Sequence, residues 1–315
     1  MKRIEFLKGS AIIGASLAVP GLISVGSGLF AAKGERKVAS ILSAHKDMVQ
    51  SVPILRAFAG NQTDYVSPFV LFDEFGPLKI DAQNEGFKIE AHPHAGVIPT
   101  TYLISGSGHH KDSIDNDIIY EQGQYMMFSS GRGAIHEEAS SETIKQTGGI
   151  IHGFQIWLNM PAKHKFDIPA TYIHDKKEMP IIENDHYKFK VVIGEIFGKK
   201  SATETLSPTF YYHITLKPNG RLEVPTDPSH NAFAYAINGS MEIENKRELK
   251  TNQIALYQRG ESRINFYSQK GCEFLLLGGQ PLNEPVYSYG PFVMNNRAQI
   301  EQCYKNYQSG KMGWL

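Results

Sequence analysis

The chain has 315 residues, enough for about two domains of ordinary size, and its 41% hydrophobic and 20% charged residues are the balance of a globular protein with sizeable cores. Lys plus Arg equals Asp plus Glu at 32 each, so the formal charge is zero, which argues against a partner gripped mainly through phosphates; no nucleic-acid partner is expected. The 29 glycines, 15 tyrosines and 17 phenylalanines suit many tight turns between aromatic, β-branched strands.

The first segment, MKRIEFLKGSAIIGASLAVPGLISVGSGLFAAKGE, has a basic start, an apolar stretch from Ala11 to about Leu29 and small residues before Lys33. That is the layout of a secretory signal, so residues 1–32 are expected to direct export to the periplasm. The string KRIEFLK resembles a twin-arginine signal in which Arg3 matches the first arginine and Ile4 stands for the second; general secretion is the competing route. The alternatives are an uncleaved anchor, the one membrane contact then expected, and a cytoplasmic chain.

After residue 36 short apolar runs alternate with Gly, Asn, Asp and Pro, the spacing of a sandwich or barrel. Strands are expected in PFVLFDEF, VIPTTYLI, DIIYE, QYMMFSS, IIHGFQIWLN, KFKVVIG, FYYHITL, AFAYAI, SMEIE, QIALYQ, RINFYS and CEFLLLGG. Residues 159–180, NMPAKHKFDIPATYIHDKKEMP, are polar, carry three prolines and read as a linker between two related β-domains. The terminal RAQIEQCYKNYQSGK has helix-like spacing and stops at Gly310. Cys272 and Cys303 read as buried hydrophobes, with a single bridge as the alternative in an exported protein.

Alternate residues of a strand share a face. His92 and His94 therefore point together, and Pro93 favours the extended backbone this needs. His136 and Glu138 have the same spacing, after a turn marked by Gly131 and Gly133. Glu137 should face the other way, to solvent or the rim. If the two strand pairs line one barrel, three imidazoles and one carboxylate converge, a set suited to Fe(2+), Mn, Zn or Cu. Four protein ligands on a six-coordinate ion leave two positions for a chelating substrate or dioxygen. Other polar groups receive plainer readings. His109, His110 and Asp112 read as a solvated strand end, Trp157 as core packing, and His164 and Lys165 as linker residues without function. No phosphate loop, nucleophile elbow or CxxC motif is present.

The strings HPHAG…TTYLISG…DS, GQYMMFSSGRGAIHEE and HGFQIWLNMPAKHK resemble, in order, the signatures of the pirin family within the cupin superfamily. SVPILRAFAG and SPFVLFDEFGP upstream and GQPLNEPVYSYGPFVMNNRAQIEQCYKNYQSGKMG downstream extend the resemblance over roughly residues 38–313. It implies an all-β fold of two tandem cupin barrels, a bicupin, with a short C-terminal helix. A metal-binding cupin would cover 38–170. A cupin without metal would cover 171–315, where SHNAFAYAINGS holds only His230. The family's ligands map onto His92, His94, His136 and Glu138, with Fe(2+) as the first expectation and Mn, Zn, Cu and Ni as alternatives. Some pirins are quercetin 2,3-dioxygenases; eukaryotic members also act as transcriptional co-regulators. The implied function is a metal-dependent dioxygenase acting on a flavonol- or catechol-like chelating substrate, a monomer using a small molecule and dioxygen. The alternatives are a redox-sensing regulatory pirin and a cupin with lost or different chemistry. Two departures bear on the chemistry. Ala95 stands for the usual Arg, and Val97, Ile98 and Pro99 stand for Phe-Glu-Thr. Loss of the Glu at Ile98 would leave Glu138 as the one obvious base and make the pocket wall more apolar.

Overall fold

A computed structural model describes residues 34–60 and 66–315, so the export signal read over residues 1–32 lies outside the described residues. The first half forms β1 (Val38–Ser43), β2 (His45–Val49), β3 (Val52–Ala59), β4 (Phe69–Ile80), β5 (Lys88–His94) and β6 (Val97–Ser105). It continues through β7 (Ser107–Asp112), β8 (Asp117–Glu121), β9 (Tyr125–Ser129), β10 (Ala134–Ser140), helix α1 (Glu142–Thr147), β11 (Gly149–Asn159) and β12 (Ala170–His174). The second half forms β13 (Ile181–Glu183), β14 (Tyr187–Ile193), β15 (Glu195–Ile196), β16 (Lys199–Lys200), β17 (Thr209–Leu216), β18 (Gly220–Pro225) and β19 (Asn231–Ile243). Then come β20 (Arg247–Lys250), β21 (Gln253–Tyr257), β22 (Arg263–Ser268), β23 (Cys272–Gly279), β24 (Tyr287–Tyr289), β25 (Phe292–Met294) and helix α2 (Arg297–Gln308).

These strands build two β-barrels. In the N-terminal one, a sheet ordered β12-β9-β6-β11-β4-β3-β2 faces a sheet ordered β5-β10-β7-β8. The C-terminal one is a single sheet whose main path is β1-β21-β19-β23-β17-β14-β13, with β18, β20 and β22 attached through β19. AFAYAI and SMEIE, expected as separate strands, are one strand, β19, with a register shift between Ala236 and Asn238 that turns it from one side of the barrel to the other.

Alternation along the strands sorts the cores. Phe72, Ile98, Tyr102 and Phe154 on the N-terminal barrel pack with Phe233, Tyr235, Leu275 and Leu277 on the C-terminal one, a shared core between the barrels. The C-terminal interior is filled by side chains such as Phe189, Ile214, Val224, Phe266 and Leu276. In the N-terminal barrel, Ile54, Phe75, Ile80, Leu103 and Ile151 fill one end.

The strand pairing crosses the midpoint of the chain twice. β1 pairs with β21, so the first described strand belongs to the C-terminal sheet. The last segment returns the other way: Phe292, Met294, Ile300, Cys303 and Met312 pack on Ala95 and Ile135 of the N-terminal barrel. Residues 159–180, expected as a linker, contribute β12, which pairs with β9, and a fully buried Lys165. Their prolines end strands without keeping the segment out of the core. Helix α2 forms as the spacing predicts, capped by the Asn296 side chain on the Gln299 amide. The short α1, not anticipated, is capped by Ser141 on the Ile144 amide and ends at Gly148. Cys272 and Cys303 are free and buried, in different cores. No helix among the described residues is long and apolar enough to cross a membrane.

Candidate metal centre

The centre is made by β5 and β10, which run antiparallel with His92 opposite His136 and His94 opposite Ala134. Beyond His136 the register shifts, so Glu138 faces Ile89 and two residues of β5, Glu90 and Ala91, span one step of β10. This bulge keeps His92 and His94 aimed into the barrel and turns Ile89 inward with them, where unbroken alternation would have put Glu90. On the other side of β10, Glu138 faces His110 and His136 faces Asp112 on β7.

The ligand atoms of His92, His94 and His136 lie within 4.8 Å of one another, and those of His110, His136 and Glu138 do likewise, so two triads share His136. Three of the residues expected as ligands, His92, His94 and His136, thus form one triad, and the fourth, Glu138, meets His136 in the second, with His110 as a fifth residue of the cluster. His92 Nδ1 lies 2.8 Å from the Glu90 carbonyl and His94 Nδ1 lies 3.1 Å from the Pro291 carbonyl. A carbonyl can only accept, so both Nδ1 atoms carry the hydrogen and both Nε2 atoms present a bare lone pair. His136 Nε2 is 3.1 Å from His92 Nε2. His94 and His136 are about 1% exposed. Burial, then the neighbouring imidazoles, holds both well below the ordinary histidine value, so they stay neutral, the form a cation needs. Three converging imidazoles with a carboxylate fit a divalent transition ion.

Glu138 is buried and held from three directions. Thr101 Oγ1 donates to its Oε1 at 3.0 Å, Tyr120 OH to the same oxygen at 3.5 Å, and Gln155 Nε2 to its Oε2 at 2.9 Å. Glu137 faces outward and half-buried, 3.7 Å from Lys88 Nζ. Above the cluster opens a cavity of about 400 Å³, within the usual range for small-molecule sites. Its wall is mostly apolar, with Val49, Ile54, Leu71, Phe75, Phe87 and Trp157 among its residues. Gln155 also lines it, and Gln155 Oε1 is buried without a hydrogen-bond partner. At the far wall Arg56 holds Asp73 through Nε at 2.8 Å and Nη2 at 2.7 Å.

Several plain readings need correction. His110 and Asp112 are buried, 0% and 3% exposed, and His110 belongs to the cluster. Along β7, Gly108, His110 and Asp112 face in and His109 faces out to Asp117. Trp157 packs against the buried Val70, Val97 and Val293, as core packing predicts, and also forms cavity wall: its ring stands at right angles to that of His94, with centroids 4.8 Å apart. Lys165, placed in a linker without function, donates to the carbonyls of Gly96 and Val293 at 2.8 Å and to Asn159 Oδ1 at 2.6 Å. Thr101, Tyr120 and Gln155 carry no motif and were not anticipated; the signal available was their inward parity on strands flanking the ligands.

Sequence comparison agrees with this geometry. The Pirin family profile matches residues 51–158, and the profile for the pirin C-terminal cupin domain matches residues 211–313. A pirin-like protein from Solanum lycopersicum is 31% identical over 280 residues, spanning 88% of this chain and 92% of its own. The chain belongs to the pirin family. Pirin-1 of Arabidopsis thaliana is 32% identical over 254 residues, covering 79% of this pirin and 84% of its own length. Among solved structures, a quercetin 2,3-dioxygenase from Acinetobacter baumannii superposes with a TM-score of 0.85 at 26% identity, over 89% of this chain and 99% of its own. The two departures from the pirin pattern fall outside the cavity. Ala95 packs under Phe292 and Met294. Ile98 shares the outward face of β6 with Tyr102 and lies in the core between the barrels, so it does not make the pocket wall more apolar. Thr101, of opposite parity, is the β6 residue that reaches Glu138.

Proposed function

We propose that this pirin is an exported metal-dependent dioxygenase, acting on a flavonol- or catechol-like substrate that chelates the ion. The observation that carries the reading is a pair of triads that share His136, one with His92 and His94 and one with His110 and Glu138, where His92, His94, His136 and Glu138 all line an apolar cavity of about 400 Å³. Those four residues would hold the ion, Fe(2+) in this proposal. Once bound, it would supply Lewis-acid and one-electron chemistry to a hydroxyl–carbonyl pair and dioxygen. The protein does the rest. The apolar wall excludes water and accepts an aromatic ring system, with Trp157 as its flat face beside His94. Glu138 would take the hydroxyl proton, and its hydrogen bonds from Thr101 and Gln155 support this role by fixing its orientation. The likeness to a quercetin 2,3-dioxygenase supports the substrate class. Oxygen uptake with a flavonol by iron-loaded protein tests it, beside His94→Ala: uptake should collapse in the variant. Equal uptake by the two would sink the proposal.

A further inference from the structure

Behind His136 runs a chain of polar contacts that the ligand set does not use. Asp112 Oδ2 is 3.1 Å from His110 Nε2, and His110 Nδ1 is 3.5 Å from His136 Nδ1, the longest link. His136 Nε2 then faces His92 Nε2 at 3.1 Å. Each step constrains the next. Asp112 Oδ1 accepts from the amides of Ile114 and Asn116 at 3.0 and 3.1 Å. Oδ2 accepts from Thr171 Oγ1 at 2.5 Å, and Asn116 Nδ2 reaches both oxygens. Surrounded by donors, Asp112 is a carboxylate, so His110 carries its hydrogen on Nε2. Neutral His110 then offers a bare Nδ1, which accepts from His136 Nδ1–H. That leaves His136 Nε2 bare beside the bare Nε2 of His92. Two lone pairs so close repel each other unless a cation shares them.

We infer that Asp112 and His110 are positioning residues that fix the tautomer of His136 and so turn its Nε2 lone pair toward the ion. The inference rests on the reading of His136 as a ligand. Ligating histidines are held by a carboxylate or carbonyl on the other nitrogen, and loss of that partner typically costs 10- to 100-fold in affinity. Here a second imidazole relays the carboxylate. Asp112→Asn has a defined consequence. The two backbone amides at Oδ1 require an oxygen, so the new amide nitrogen must occupy the Oδ2 position and donate to His110 Nε2. His110 then carries hydrogen on Nδ1, and His136 is driven to Nε2–H, which blocks its lone pair.

The test uses full-length protein with 15N-labelled histidine. Long-range proton–nitrogen spectra of the metal-free protein read each tautomer, and cobalt(II) titration reads affinity. Wild type should show His136 as Nδ1–H. Asp112→Asn should reverse both tautomers and weaken cobalt about 10- to 100-fold. Asp117→Asn, beside the outward His109, should change neither. His110→Phe, whose ring would take the place of the imidazole beside Phe128 and His136, should free the His136 tautomer and weaken cobalt too. At saturation its cobalt absorption spectrum should match wild type. A spectrum altered at saturation would make His110 itself a ligand and overturn the inference. So would His136 as Nε2–H in wild type, a doubly protonated His110, or a tautomer reversal with unchanged affinity. Should Asp112→Asn not fold, the wild-type spectra and His110→Phe still decide. If His136→Gln leaves cobalt affinity intact, it is the ligand assignment that fails, and the wild-type tautomers report the relay separately.

Discussion

Glu137 and Glu138 have the same chemistry, and the strand alone separates them. Glu138 is 6% exposed and takes hydrogen bonds from Thr101 and Gln155, while Glu137 faces outward near Lys88. Glu138→Gln keeps the shape and removes the anionic donor. It should lower metal affinity by at least the 10- to 100-fold typical of losses around a ligand. Glu137→Gln should change it little, because an outward carboxylate acts through screened electrostatics. Metal content per chain after dialysis against a mild chelator distinguishes them, and an empty site in Glu137→Gln alone would move the register by one residue. The same alternation makes His92, His94, His136 and Glu138 legible from the order of residues alone, since each pair is separated by one residue. It would also pull His110 from the solvated strand end, were β7 recognisable as a strand. SGHHKD lacks the β-branched and aromatic residues that mark one. Gln155 and Thr101 were not legible, because their meaning lies in a partner distant in sequence.

The ligand strands hold their aim because other elements press on them. The hairpin of β24 and β25 carries Pro291, whose carbonyl fixes His94 Nδ1. Helix α2 holds that hairpin through Ile300 and Cys303, packed with Phe292 and Met294. Ile300→Ala should open a cavity there and cost about 2–5 kcal/mol of stability, as buried Ile→Ala changes do. Because the gap lies behind the carbonyl that orients His94, metal affinity should fall in the same variant. Thermal unfolding and a metal titration check the two effects, and unchanged affinity in a clearly destabilised protein would show that the hairpin holds its place without the helix. Helix α2 was legible because the helix-like spacing of RAQIEQCYKNYQSGK and the stop at Gly310 agree. The long apolar strands β4, β6, β11, β17 and β23 were legible for the same reason: pattern and propensity coincide. The β5 bulge was not, since His92 and His94 keep their shared face while the extra residue falls upstream at Glu90 and Ala91. β12 was hidden by flanking prolines and charges, because it borrows its stability from pairing with β9.

At the scale of the molecule, the two barrels are tied by exchanged segments as well as by the core between them. β1 goes to the C-terminal sheet, and the end of the chain covers the N-terminal barrel. Lys165 sits where three of these parts meet: the turn at Gly96 just after the HPH pair, the end of β11 at Asn159, and Val293 in the terminal hairpin. Gly96 can occupy that turn because it has φ +71°, and a Cβ there would lie 2.2 Å from the Val293 carbonyl. Three oxygens match the three N–H groups of an ammonium, yet burial pulls the Lys165 value down from 10.5 to about 7. Between those pH values the unfolded chain keeps a proton on Lys165 that the folded chain has released. Stability therefore rises with pH through the window from about 7 to 10.5, and the cost of burying the charge is full below it. Lys165→Met removes the titration and leaves three carbonyl oxygens without their donor. The variant should be less stable throughout, with a flatter dependence on pH than wild type in that window. Urea midpoints across the range from about pH 6 to pH 10 give the comparison. Parallel profiles would mean that Lys165 keeps its proton in the folded state to the ordinary lysine range, and that the three acceptors outweigh burial.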